Sequence, residues 1–252
     1  MIPIMNNTSL LKMITAGRLL AEIFEIVQPK VQIGTTTLEL DSFFEKELAA
    51  RRLVSGSKGY MGYRFVTCIS LNDEVVHGIP SAKKVIKPGD VIKIDVCAAH
   101  QGFFADMTRT FLVPPVDLKV QHFINVAQAA LDLGINSALI GNRVSDISSA
   151  IQKEVERNGF GVVRDFAGHG IGHAMHEEPE ILNYGLPGRG PVLKAGMGLA
   201  LEPMITMQGY RVFVANDGWT VKTVDGSLAA HVEDTIIITD NGPMIITRPG
   251  RG

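Results

Sequence analysis

Apolar residues alternate between two periods along this chain. After the capping cluster Asn7-Thr8-Ser9, the positions Leu11, Ile14, Leu19, Ile23, Ile26 and Val27 recur at helical spacing, predicting a first helix. Gly34 interrupts the pattern. A second amphipathic helix is predicted over 37–51, with Leu40, Phe43, Phe44 and Leu48 inward, and similar helices over 121–140 and 144–158. Stretches rich in β-branched residues and flanked by Gly, Pro or Asp predict strands at 65–71, 91–99, 108–113, 197–203, 210–214 and 233–239.

The pattern repeats. With a shift of 107 positions, Gly34 meets Gly141, Leu40 meets Ile147, Phe44 meets Ile151, and Lys46-Glu47 meets Lys153-Glu154. Lys87-x-Gly89 then meets Lys194-x-Gly196, and the strands that follow end at Asp95 and Glu202. The register next changes by 20, and Asp106-Met107-Thr108 meets Glu233-Asp234-Thr235. Two copies are too few for a solenoid. They predict an α+β fold in which two similar halves, roughly 8–113 and 120–240, join into one sheet-centred core within a single domain, 1–252. The acidic pairs would then face each other across a pseudo-two-fold axis.

Composition narrows the class. With 252 residues and 46% hydrophobic content the chain can bury a substantial core. A formal net charge of −2 with mixed signs gives no electrostatic case for a nucleic-acid partner. Two cysteines, Cys68 and Cys97, make no disulfide framework and fit a reducing compartment. The N-terminal stretch lacks a basic segment followed by an apolar one, and no run is long enough for a membrane helix, so the expected location is cytoplasmic.

Four carboxylates at equivalent places in two halves would repel one another strongly if buried together without a counterion. Divalent cations remove the difficulty, because carboxylates can bridge two ions about 3.5–4 Å apart. A fifth candidate lies in Gly168-His169-Gly170-Ile171-Gly172-His173-Ala174-Met175-His176, where alternating glycines suit a strand or loop approached closely by other backbone. One imidazole with four carboxylates is an oxygen-rich set, favouring Mn²⁺, Fe²⁺ or Co²⁺ over a structural zinc site. Alone, Asp95 reads as a strand-end turn residue, and Asp106 and Glu233 as exposed edge residues. Glu202 is different, since Leu199-Ala200-Leu201 and Pro203-Met204 surround it and an acid there needs a partner. A tri-histidine zinc site from His169, His173 and His176 competes, but His-x3-His ligand pairs normally rely on a helix. The chain has no His-Glu-x-x-His motif, no Gly-x-Ser-x-Gly elbow and no Walker-type phosphate loop.

Five segments, in order, resemble the type I methionine aminopeptidases, the short form of the pita-bread (M24-like) metallopeptidases. They are Gly59-Tyr60-Met61-Gly62-Tyr63 with 68–80, 87–106, 168–179, Leu201-Glu202-Pro203-Met204, and 219–235. Lys12-Met13-x-x-Ala16-Gly17-Arg18 fits as well. The resemblance implies a pita-bread fold, a curved antiparallel sheet covered by helices. It implies that Asp95, Asp106, His169, Glu202 and Glu233 bind two divalent ions, with Asp106 and Glu233 bridging. Glu202 would also shuttle a proton, His77 would assist near the scissile amide, and His176 would contact the scissile carbonyl oxygen. Tyr60, Tyr63, Cys68, Met175 and Trp219 would surround the methionine side chain. The implied substrates are peptides and nascent chains beginning with Met, with ribosome association raised as a further partnership and a monomer expected.

The chain departs from the family pattern at Ser57, Arg64, Met175 and Asp234, which points to a divergent paralogue of bacterial type. Two rivals remain within the fold: a proline-directed (Xaa-Pro) aminopeptidase and a catalytically inactive binding module.

Overall fold

The structure, a computed structural model, describes residues 2–248. The expected domain 1–252 thus reaches residues at both ends, 1 and 249–252, that lie outside the described ones. Among the described residues four α-helices form: α1 (Asn7–Val27), α2 (Thr37–Ala50), α3 (Leu118–Ser137) and α4 (Val144–Arg157). The strands of the first half are β1 (Val54–Ser55), β2 (Cys68–Leu71), β3 (Glu74–Val76), β4 (Val91–His100) and β5 (Phe103–Leu112). In the second half come β6 (Gly161–Val162), β7 (Ala167–Gly170), β8 (Glu177–Leu182), β9 (Gly198–Leu201) and β10 (Met204–Thr206). The chain continues through β11 (Val212–Val214), β12 (Val221–Thr223), β13 (Ala229–His231), β14 (Glu233–Thr239) and β15 (Gly242–Ile245).

Local chemistry sets the helix starts. Asn6 Oδ1 accepts from Ser9 N–H at 3.0 Å, so the cap of α1 lies one residue before the expected cluster. At α2, Thr36 Oγ1 accepts from Glu39 N–H while Glu39 Oε2 accepts from Thr36 N–H, a complete capping box. Asp117 caps α3, which therefore begins at Leu118 rather than 121. The buried stripe of α1 runs through Met13, Ala16, Gly17, Leu20, Ile23 and Phe24. Leu11 and Ile26, two of the apolar positions that marked this helix, are exposed. Small residues took their place because the chain crosses close by: a Cβ on Gly17 would lie 2.5 Å from the Ile246 carbonyl oxygen.

Nine strands make one antiparallel sheet, ordered β1-β4-β5-β14-β9-β7-β8, with β2 on β4 and β15 on β14. Two differences from the sequence reading concern its centre. The strand expected at 65–71 starts at Cys68, and that expected at 108–113 is the tail of the ten-residue β5. Polar Asp106 and Thr108 hid the earlier part of β5 by breaking the apolar alternation. Register from Val91↔Leu112 to His100↔Phe103 makes β4 and β5 one long hairpin.

The sheet is curved and its two faces differ. Ile92, Ile94, Val96, Ala98 and Met107 lie in the apolar core that α1 and α2 cover, with Leu20, Leu40 and Phe44. Leu199, Leu201, Ile236 and Ile238 lie in the matching core under α3 and α4. Pseudo-symmetry is visible in backbone detail: the isolated bridge Thr36↔Val85 recurs as Arg143↔Val192, again displaced by 107 positions. Among the described residues, no helix is long and apolar enough to cross a membrane.

Asp234, on the helix-covered face, anchors the sheet centre. Arg109 Nη2 meets its Oδ1 at 2.7 Å, Arg248 Nε meets its Oδ2 at 2.6 Å, and Thr247 Oγ1 donates to Oδ1 at 2.8 Å. Arg109 also donates to the carbonyl oxygens of Glu233 and Thr247, tying β5, β14 and the C-terminal segment together. Removing the shared carboxylate would strand partly buried guanidinium groups. Asp234→Ala is therefore expected to lower unfolding free energy by about 3–5 kcal/mol in urea melts; a loss under about 1 kcal/mol would mean the cluster behaves as a surface ion pair.

Candidate metal and active site

Sheet register puts the predicted acids on one face. Cys97 pairs with Asp106 and Asp95 with Thr108, so Asp95 and Asp106 stand diagonally on the same side of the β4–β5 ladder. Thr108 pairs onward with Glu233. Thr235 and His169 each pair with Ala200, and Glu202 follows two residues later, returning to that face. The five residues thus come from adjacent strands β4, β5, β14, β9 and β7, on the face opposite the helix-packed core. One geometric condition permits this crowding: a Cβ on Gly168 would lie 2.5 Å from the Ala200 carbonyl oxygen, so the approach of β7 to β9 requires glycine.

Asp106, His169 and Glu233 each offer one ligand atom, all within 4.8 Å of one another. Asp95 adjoins this trio beside Asp106, and Glu202 beside His169, whose Nε2 lies 3.4 Å from Glu202 Oε1. Burial, and after it the neighbouring Asp106, pushes Asp95, Glu202 and Glu233 well above the usual carboxylate range. Glu233 Oε2 accepts from Thr108 Oγ1 at 2.8 Å, but Oε1 is buried with no hydrogen-bond partner. His169 Nδ1 lies 2.9 Å from the Gly170 carbonyl oxygen, so an N–H there leaves Nε2 with its lone pair toward the carboxylates. Burial also holds its imidazole below the ordinary histidine pKa, in the neutral form a metal needs. Burial keeps Cys68 and Cys97 protonated, so the donor set is oxygen-rich with one nitrogen. An orphaned carboxylate oxygen, crowded acids and an oriented neutral imidazole fit a hard or borderline divalent cation.

Asp95, Asp106, His169 and Glu202 open onto a cavity of about 540 Å³, with Glu233 buried beside them. His77, His176, Tyr60, Tyr63, Cys68, Met175 and Trp219 all line it. Tyr63 packs edge-on against Trp219, centroids 4.9 Å apart, with its hydroxyl donating to the Thr67 carbonyl at 2.9 Å. His176 stands at the rim, between the rings of Tyr60 at 5.6 Å and His169 at 4.5 Å. His77 packs against Phe166 and holds a left-handed φ of 58°, costly for a residue with a Cβ. His173 is outside the lining, against Phe103 at 4.2 Å, which separates it from His169 and His176 and removes the tri-histidine arrangement.

Of the four departures, Ser57 and Met175 line the cavity. Arg64 lies outside its lining, over the Phe65 ring, and Asp234 faces the opposite side of the sheet. Sequence reasoning passed over His231, a fully enclosed cavity residue whose only signal was its place two residues before Glu233 on a strand. It also passed over Phe166 and the acids Asp165, Glu177, Glu178 and Glu180, which line the same cavity from segments with no clear periodicity.

The model of metallopeptidase family M24 matches residues 12–240. The methionine aminopeptidase of Clostridium acetobutylicum is 44% identical over 247 residues, 98% of this chain and 99% of that one. A crystal structure of methionine aminopeptidase from Thermotoga maritima superposes with a TM-score of 0.97 at 42% identity, covering 98% of this chain and 100% of that chain. An Xaa-Pro dipeptidase from Bacillus anthracis shares the fold at a TM-score of 0.79 and 22% identity, and is longer, this chain covering 63% of it. Near-complete overlap at high identity joins the site geometry to a family: the chain belongs to the metallopeptidases of family M24, among the methionine aminopeptidases.

Proposed function

We propose that this chain removes the N-terminal methionine from peptides and nascent proteins by metal-assisted hydrolysis. The observation that carries the reading is the match to methionine aminopeptidases over 98% of the chain, joined to four metal-type side chains lining one cavity and Glu233 beside them. The Xaa-Pro alternative has only fold likeness behind it, at 22% identity. An inactive module gives no reason for three crowded carboxyl groups held at raised pKa.

In this reading Asp95, Asp106, His169, Glu202 and Glu233 would hold two divalent ions of the Mn²⁺, Fe²⁺ or Co²⁺ class. Bound there, such ions supply concentrated positive charge that neutralises the acids and makes water acidic enough to act as a nucleophile near neutrality. Glu202, at the cavity floor, accepts the proton released as water attacks and passes it to the departing amine. His176, at the rim, donates toward the carbonyl oxygen as charge develops there. His77 hydrogen-bonds near the scissile amide; its strained backbone fits a residue fixed in place for function. Tyr60, Tyr63, Cys68, Met175 and Trp219 enclose the methionine side chain, whose sulfur suits aromatic contact. Cytoplasmic location, a monomeric state and encounter with chains at the ribosome complete the proposal; the two free cysteines fit a reducing compartment.

Free methionine release from Met-Ala-Ser tests the assignment directly. Activity should vanish on chelation and return with Mn²⁺, Fe²⁺ or Co²⁺, and Glu202→Ala should lower kcat/KM by at least about 10²-fold. Cleavage of Xaa-Pro peptides in preference to Met-Ala-Ser would instead establish the proline-directed activity.

The buried acids set a pH dependence. Their folded-state pKa values lie above the unfolded ones, so the metal-free protein binds more protons folded than unfolded. Its stability should fall as pH rises beyond about 4, and protons compete with metal. Mn²⁺ should therefore raise Tm more at pH 7.5 than at pH 5.5, by roughly 5–10 °C at saturation. An equal gain at both values in a melting assay would remove the carboxylates from the metal site.

For the side-chain pocket, Trp219→Ala should raise KM for Met-Ala-Ser by about 3–10-fold with kcat held within about twofold. An unchanged KM would take Trp219 out of the pocket.

A further inference from the structure

Among the described residues, His231 alone has both ring nitrogens buried and without a hydrogen-bond partner. It is 2% exposed, lines the cavity, and ends β13, where it pairs with Met204 at the start of β10. That pairing brings it back beside Glu202, which precedes Met204 by two residues. Its Nε2 lies 3.5 Å from Glu202 Oε2, while His169 Nε2 lies 3.4 Å from Oε1. The Glu202 carboxylate is thus bracketed by two imidazoles, one on each oxygen.

The two imidazoles are held differently. His169 has its Nδ1 committed to the Gly170 carbonyl, which leaves a lone pair on Nε2. His231 has no backbone carbonyl fixing either nitrogen. With Glu202 ionised, as a metal ligand must be, a lone pair on His231 Nε2 would set two acceptors face to face in a closed site. With a proton there, the same contact becomes a donor–acceptor pair that a shift of a few tenths of an ångström closes to hydrogen-bonding distance. Buried polar groups take the second arrangement when it is within reach.

We propose that His231 is a positioning residue for Glu202, its Nε2–H donating to Oε2 and fixing the rotation of the carboxylate. Oε1 is thereby kept on the side of His169, and the carboxylate does not swing free within the cavity. This rests on the reading of Glu202 as a metal ligand and proton acceptor. A group that orients a ligand characteristically changes both metal affinity and turnover when lost.

The test combines Mn²⁺ titration calorimetry, steady-state release of methionine from Met-Ala-Ser, and the ring ¹⁵N spectrum of the full chain. His231→Leu should weaken Mn²⁺ affinity by about 10–100-fold and lower kcat comparably with little change in KM. His231→Gln, which keeps a side-chain donor, should recover most of both. In a Glu202→Ala background, His231→Leu should change Mn²⁺ affinity by less than about twofold, because the partner it orients is gone. In the parent loaded with diamagnetic Zn²⁺, where Glu202 is ionised, the His231 ring should carry its proton on Nε2; that measurement decides the matter if the leucine variant does not fold. Parental Mn²⁺ affinity in His231→Leu, an undiminished effect of that substitution without Glu202, or a proton on Nδ1 would each overturn the inference. Parental affinity in Glu202→Ala itself would overturn the ligand reading beneath it, a result told apart by the Glu202 variant alone.

Discussion

Four carboxylates occupy the inner face of a single sheet, and their mutual repulsion in a poorly solvated setting is the constraint that the surrounding structure accommodates. Burial and the neighbouring Asp106 drive Asp95, Glu202 and Glu233 toward protonation, and Glu233 keeps one oxygen without any partner. Such an arrangement is poor for stability in isolation and well suited to concentrated positive charge. Neutral His169, held by its tie to Gly170, supplies the remaining donor without adding another negative charge.

Holding those groups together falls to the sheet. Each acid sits at or beside a strand in the continuous order β4-β5-β14-β9-β7, so ladder hydrogen bonds fix their spacing more tightly than loops would. The opposite face supplies the energy, with aliphatic residues of the same strands packed under two helix pairs. At the centre of that face, Asp234 gathers Arg109 and Arg248 directly behind Glu233. A residue that departs from the family pattern beside a proposed ligand has therefore been taken up by the scaffold on the other side of the strand. Alternation of side chains along β14 makes this possible, since neighbours 233 and 234 cannot share a face.

Apolar periodicity and internal duplication, read from the residues alone, gave four helices, the central strands and equivalent acidic positions in two halves. They did so because Leu40, Phe44 and Leu48 in α2 and Ile147, Ile151 and Val155 in α4 recur at helical spacing, and because β4 and β14 carry dense β-branched runs. The duplication survives in the fold as bridges at Thr36↔Val85 and Arg143↔Val192. Where the pattern misled, a tertiary contact had overridden it. Ile246 presses against Gly17 and turns the inward face of α1 toward its small residues, while β5 carries polar residues where the site requires them.

What the sequence determined by itself, then, was the fold class, the acids and the glycine-flanked histidine, because periodicity, duplication and ordered motifs are properties of residue order. Residue order by itself left His169, His173 and His176 open to a tri-histidine reading, and the tertiary structure separates them. His169 and His176 converge while His173, between them in sequence, packs on Phe103. His231 reaches Glu202 through the pairing of β13 with β10, segments separated by more than twenty residues, and nothing local encodes that approach. Strand pairing between distant segments sets which side chains meet, and that is settled by the packing of the whole sheet against its helices.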